Sequence, residues 1–86
     1  MMSFTLYILY SAEKDRYYVG QTSNLTERLE SHRSGISTYT SMASDWELVY
    51  TEEYAERLDV VKREIEIKKK KSRKYIEYLI ASKSGV

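Results

Sequence analysis

The sequence predicts an α+β domain: a small three-stranded antiparallel sheet flanked by helices, in the order β-β-α-β-α-α. Three observations carry that prediction. The runs 4–10, 16–20 and 46–51 are short and rich in aromatic and β-branched residues. Apolar residues recur at helical spacing after Asn24 and again from Ala55 onward. No proline interrupts the 86 residues, of which 42% are hydrophobic and 31% charged, as in folded chains. Strands and helices segregated in this way pack as a sheet against helices. At this length residues 1–86 are expected to form a single domain, which hides roughly 60–65% of its unfolded surface.

The elements follow in order. Phe4 to Tyr10 reads as a first strand and Arg16 to Gly20 as a second. The polar stretch Ser11 to Asp15 joins them as a hairpin with a loop of about five residues. Asn24, followed three residues later by Glu27, resembles a capping box and starts a helix. That helix carries Leu25, Leu29 and His32 on one face, and Gly35 supplies its stop. Residues 36–45 are rich in Ser and Thr and read as a loop. Trp46 to Thr51 suits a third strand. From Ala55 a helix is expected to bury a stripe of Leu58, Val61, Ile65 and Lys68, with Val60 and Ile67 beside it. Ser72 breaks a lysine run and caps a last helix, whose Tyr75, Tyr78, Leu79 and Ser82 share a face. Residues 82–86 are expected to fray.

Composition excludes several chemistries. The absence of cysteine removes disulfides, thiolate metal sites and a cysteine nucleophile. With one histidine as well, a closed structural zinc site has no ligands. No apolar run approaches the ~18 residues of a membrane span. The N-terminal Met-Met-Ser-Phe-Thr-Leu lacks the basic start and the cleavage site of a signal peptide, so a cytoplasmic chain without membrane contact is expected.

Charge is concentrated. The whole chain is +1, but residues 1–61 are net −5 and residues 62–74 are net +6. The second segment holds Lys68, Lys69, Lys70, Lys71, Arg73 and Lys74. One reading is a solvated helix end that suits the helix dipole. The other is a nucleic-acid footprint that contacts phosphates without reading sequence.

Tyr7, Tyr18, Arg28, His32 and Glu64 are the candidates for chemistry. Arg28 and His32 lie four apart, on one helix face. Whether Tyr7 and Tyr18 share a sheet face depends on strand register. An Arg stabilises charge on a phosphoryl oxygen. A carboxylate holds one divalent cation whose shell is completed by water and phosphate. A tyrosine next to cations can act as a base. Such residues therefore suit phosphodiester chemistry. Each also has a plain structural role: packed strand tyrosines, a surface Arg, a packed His, and a Glu64–Lys68 pair at i,i+4. Glu66 competes with Glu64, but about 200° of helix separates them, so both cannot face one site.

The arrangement of these residues resembles the GIY-YIG nuclease family, in particular its small stand-alone members, over roughly residues 4–80. The motif's first half is matched by Thr5-Leu6-Tyr7 and its second by Tyr18-Val19-Gly20, with Tyr18 eleven positions after Tyr7. Gln21 to His32 looks like the family's continuation, and Val61 to Lys68 like its glutamate-bearing helix. Thr5, Leu6 and Val19 depart from the motif's Gly and two Ile residues. The resemblance implies hydrolysis of a phosphodiester bond in DNA, in repair or recombination. It implies Tyr18 as general base, Tyr7 as an orienting residue, Arg28 as transition-state stabiliser and His32 as hydrogen-bond partner or proton relay. It implies that Glu64 binds one Mg²⁺ or Mn²⁺. DNA is the implied partner, of low sequence preference, with a protein partner as a further source of specificity. Two other classes stay open: a non-catalytic nucleic-acid-binding module, and an accessory domain active only with a partner protein. Tyr39, in the Ser/Thr loop, is a weaker candidate for substrate contact.

Overall fold

A computed structural model of the chain describes residues 3–33, 43 and 45–84. Six elements run in the expected order: β1 (Phe4–Ser11), β2 (Arg16–Thr22), α1 (Leu25–Arg33), β3 (Glu47–Tyr54), α2 (Arg57–Lys70) and α3 (Arg73–Ser84). The sheet is antiparallel in the order β2-β1-β3, so β1 is central and β2 and β3 are edges. Leu6, Tyr7, Ile8 and Leu9 of β1 have no exposed surface, because both faces of the central strand are covered. No helix among the described residues is long and apolar enough to cross a membrane.

The hairpin is one residue tighter than expected. Ser11 pairs with Arg16, leaving the four-residue turn Ala12–Asp15. The turn has no glycine, and Asp15 takes φ 52°, a left-handed conformation that Asp adopts more readily than most residues. Asp45 accepts hydrogen bonds from Ser11 Oγ (2.6 Å) and from the Glu13 N–H (2.8 Å), holding the turn from outside. Third-strand pairing runs later than expected, over Glu47–Tyr54, and Trp46 is buried just before it.

Each sheet face has its own core. Leu6, Ile8 and Val19 pack against Val60, Ile67 and Leu79 from α2 and α3. On the other face, Tyr7 and Leu9 pack with Trp46, Ala43 and the α1 residues Leu25 and Leu29. The start of α1 is capped as predicted: the Glu27 N–H donates to Asn24 Oδ1 at 3.2 Å. The predicted stop at Gly35, most of the 36–45 loop with Tyr39, and residues 85 and 86 lie outside the described residues. The helix α3 continues through Ser84, so the described part of the C-terminal segment is ordered helix rather than frayed chain.

The buried stripe of α2 differs from the predicted one. Leu58 and Ile65 are 63% and 57% exposed, whereas Val60 and Ile67 are the buried pair. Glu64 stands between these two on the inward face. A carboxylate in the middle of the stripe breaks the apolar period, so periodicity selects the neighbouring stripe instead. Rotation of α2 is fixed by Glu52 of β3, which accepts from Arg63 Nε (2.9 Å), Arg63 Nη2 (3.0 Å), Tyr54 (2.6 Å) and Tyr50. Arg63 also pairs with Glu66, which faces away from Glu64. In α3, Ser72 caps as expected, accepting the Tyr75 N–H at 3.1 Å. Leu79 is buried with Tyr75, Ile76 and Ile80 packed around it, but Tyr78 is exposed, contrary to expectation.

Candidate active site

Strand register settles the question of parity. Tyr7 pairs with Gly20 and Leu9 with Tyr18, so Tyr7, Tyr18 and Gly20 share one face. The two tyrosine rings lie diagonally, with centroids 6.2 Å apart. From the same side α1 delivers Arg28 and His32, one helical turn apart. His32 is fully buried; its ring centroid is 4.9 Å from that of Tyr18 and 5.7 Å from that of Tyr7.

Tyr7 Oη is the hub of this cluster. It lies 2.8 Å from His32 Nε2 and accepts from Arg28 Nε at 3.4 Å. Burial pushes the Tyr7 phenol up to about 12, so it stays protonated at neutral pH. Burial, then the Arg28 charge, lower the His32 pKa and keep its ring neutral. With both groups neutral, the phenol's one proton is best used by donation to Nε2 while its lone pair receives Arg28. Arg28 is stabilised in its charged form chiefly by the Tyr7 bond, with a smaller contribution from Tyr18. Its own side chain is exposed to solvent.

Gly20 was quoted by the motif without a role, and the structure supplies one. A Cβ at Gly20 would stand 2.6 Å from Tyr7 Oη and 2.7 Å from its Cζ. The ring of Tyr7 therefore rests on the bare backbone of β2. Gly20→Ala is expected to push Tyr7 off His32, destabilising the fold by about 1–3 kcal/mol. Denaturant unfolding checks this; a variant as stable as wild type, with Tyr7 still bonded to His32 by NMR, would count against it.

Glu64 approaches from α2, which packs along β2 and β1. Its carboxylate accepts from Lys68 Nζ at 2.7 Å and its side chain is 20% exposed. Its charge reaches Tyr7, where it is one of the causes that raise the phenol. The Lys68 ammonium in turn sits 5.9 Å from the Tyr18 ring centroid. Lysine thus bridges carboxylate and phenol, a place for positive charge. No cluster of three or more His, Asp or Glu side chains suited to a metal occurs among the described residues. A hard cation that keeps its waters and takes its remaining ligands from phosphate needs only one or two carboxylates. Glu64 fits that kind of ion, and does not fit an all-protein cage.

The basic segment does not form one surface. Its helix breaks at Lys71, so Lys68, Lys71 and Arg73 line the outer edge of β2 beside Tyr18. Lys69 and Lys70 instead join Lys62 around Ile65 and Glu66, with the Lys70 ammonium over the Tyr75 ring. Arg73 is already bonded to Asp15 (2.5 Å) and Glu77 (3.2 Å).

Comparison with known proteins places the chain in a family. The model of the GIY-YIG catalytic domain matches residues 3–76. No curated protein matches the chain. Among solved structures, the chain is similar to the UPF0213 protein BH0048 from Bacillus halodurans, determined by solution NMR. That similarity has a TM-score of 0.62 and 29% identity, covering 98% of this chain and 88% of the other.

Proposed function

The chain belongs to the GIY-YIG family, and on that premise we propose that it is a divalent-metal-dependent endonuclease domain that hydrolyses phosphodiester bonds in DNA. The observation that carries the proposal is the convergence of Tyr7, Tyr18, Arg28 and His32 into one contact cluster with Glu64 beside it.

Burial separates the two tyrosines by role. Tyr7 is fully buried, and its proton is held at neutral pH. Such a phenol orients its neighbours and does not take protons. Tyr18 is half-buried on the same face and reaches solvent, so it can give its phenolic proton to water and, as phenolate, act as the base that removes a proton from the attacking water. The water oxygen forms a bond to phosphorus, the bond from phosphorus to one ester oxygen breaks, and that oxygen leaves as an alcohol after receiving a proton. Arg28, exposed but tethered to Tyr7, binds the phosphoryl oxygens where negative charge builds. His32 holds Tyr7 in place from below as its hydrogen-bond partner. Glu64 would hold one Mg²⁺ or Mn²⁺, which when bound supplies Lewis-acid charge to the phosphate. DNA processing in repair or recombination, in the cytoplasm, is the setting this chemistry suits, with a protein partner as a further source of specificity.

The test is cleavage of labelled duplex, branched and single-stranded DNA with Mn²⁺. Metal-dependent cutting by the wild type supports the proposal. Binding without cutting under every condition replaces it with a nucleic-acid-binding module. Cutting only after a partner protein is added makes the chain an accessory domain.

The split basic segment makes a further expectation. Changing Lys68 and Lys71 to Gln should reduce the salt dependence of duplex affinity by about two units of slope. The same change at Lys69 and Lys70 should leave it nearly unaltered. Affinity measured across a salt series decides; equal effects of the two pairs would mean that the cations act only as a diffuse charge.

A further inference from the structure

A groove of about 520 Å³ runs along the outer edge of β2, between that strand and the corner where α2 gives way to α3. Its volume lies within the about 300–1,000 Å³ of small-ligand sites. The floor is apolar: Val19, Ile67 and Ile76. The rim is cationic, with Arg16 on one side and Lys71 and Arg73 on the other. At its inner end stand Tyr18 and Lys68, so the groove opens out of the candidate active site.

Two details point to an anionic ligand. Asp15, the acidic residue of the rim, is neutralised by Arg73 (2.5 Å) and bonded by Tyr10 (2.7 Å), whereas Arg16 and Lys71 join none of the ion pairs among the described residues. Lys71 also closes α2 with φ 47° and ψ 39°, the left-handed position that favours glycine. What a lysine adds there, and a glycine lacks, is a charged side chain over the groove.

We infer that the groove is a subsite for one unpaired nucleotide adjoining the scissile phosphate. Its base lies on the apolar floor, and its phosphate meets Arg16 and Lys71. A base inside a duplex has both faces covered by its neighbours and enters only at the cost of flipping out, so a single strand next to the cut is the preferred substrate. The inference rests on the DNA-cleaving reading of the neighbouring cluster and names its substrate class.

The test is binding without turnover, in EDTA, by fluorescence anisotropy. The probes are a labelled thymidine strand of about 12 nucleotides, a duplex of equal length, and an abasic strand of equal length and charge. Wild type should bind the thymidine strand about tenfold more tightly than either the duplex or the abasic strand. The pair Arg16→Gln and Lys71→Gly should lose about tenfold more affinity on the thymidine strand than on the duplex. Because glycine suits the cap, Lys71→Gly alone should not lower the melting temperature, which separates lost contact from lost folding. Equal affinity for the three probes, or no effect of the variants on the thymidine strand, overturns the inference. Cleavage with Mn²⁺ keeps the two proposals apart. Duplex cutting by wild type, with no preference for the thymidine strand in binding, sinks the groove and spares the nuclease. Strand binding lost in the variants, with no cutting by wild type, does the reverse.

Discussion

Arg28→Ala is expected to slow DNA cleavage by about 10²–10³-fold while leaving the fold intact. The argument is one of position. Arg28 is exposed, and its long bond to Tyr7 is not what keeps Tyr7 in place; His32, at 2.8 Å, does that. Removing the guanidinium therefore orphans no buried group, and the melting temperature should stay within about 4 °C of wild type. What is lost is the fixed positive charge facing the phosphate. Lysine at this position should recover part of the rate, since it restores charge but not the planar fork. Single-turnover kinetics beside DNA affinity give the decisive comparison: the rate should fall far more than the affinity. Unaltered turnover would remove Arg28 from the mechanism.

Glu64→Ala should be more severe, with a loss of about 10³-fold or more, because several kcal/mol of charge stabilisation depend on the ion it would hold. Its structural cost is small. The Lys68 pair is an exposed i,i+4 contact, of a kind worth only about 0.3–0.5 kcal/mol. Affinity for DNA without metal should rise or stay level, since a negative charge beside the phosphate path has gone. A purely structural role for Glu64 predicts the opposite pattern, with stability lost and activity per folded molecule kept. Calorimetric titration with Mn²⁺ gives an independent reading, in which the variant should lose the ion. Equal cleavage by variant and wild type would mean a contaminating nuclease or a different ligand.

Much of this was legible in the chain. The order of six elements follows from β-branched and aromatic runs and from helical spacing, and the Asn24 and Ser72 caps are where their side chains suggested. The motif spacing located the residues that cluster. What stayed illegible has physical causes. Parity of Tyr7 and Tyr18 depends on a register that only pairing fixes. The buried face of α2 was misread because Glu64 occupies the inward stripe, so the same residue that marks a candidate site also erased the apolar period around it. Ser72 marked where the basic segment breaks, but nothing in the sequence told that Lys68 and Lys71 line β2 while Lys69 and Lys70 join Lys62. The seat that Gly20 gives to Tyr7 becomes visible only when the ring is placed over it.

The position of β2 has a consequence for how copies of this chain behave in solution. It is an edge strand, with unpaired backbone groups that another chain could extend into a continuous sheet. Arg16 and Lys71, which join no ion pair among the described residues, leave that edge with unbalanced positive charge. Two copies that approach edge to edge bring these cations together, and each repels the other before strands can pair. The groups that draw in a polyanion are then also the gatekeepers against aggregation. Neutralising them strips a safeguard as well as a contact, so such variants should be compared with wild type only while both remain monomeric.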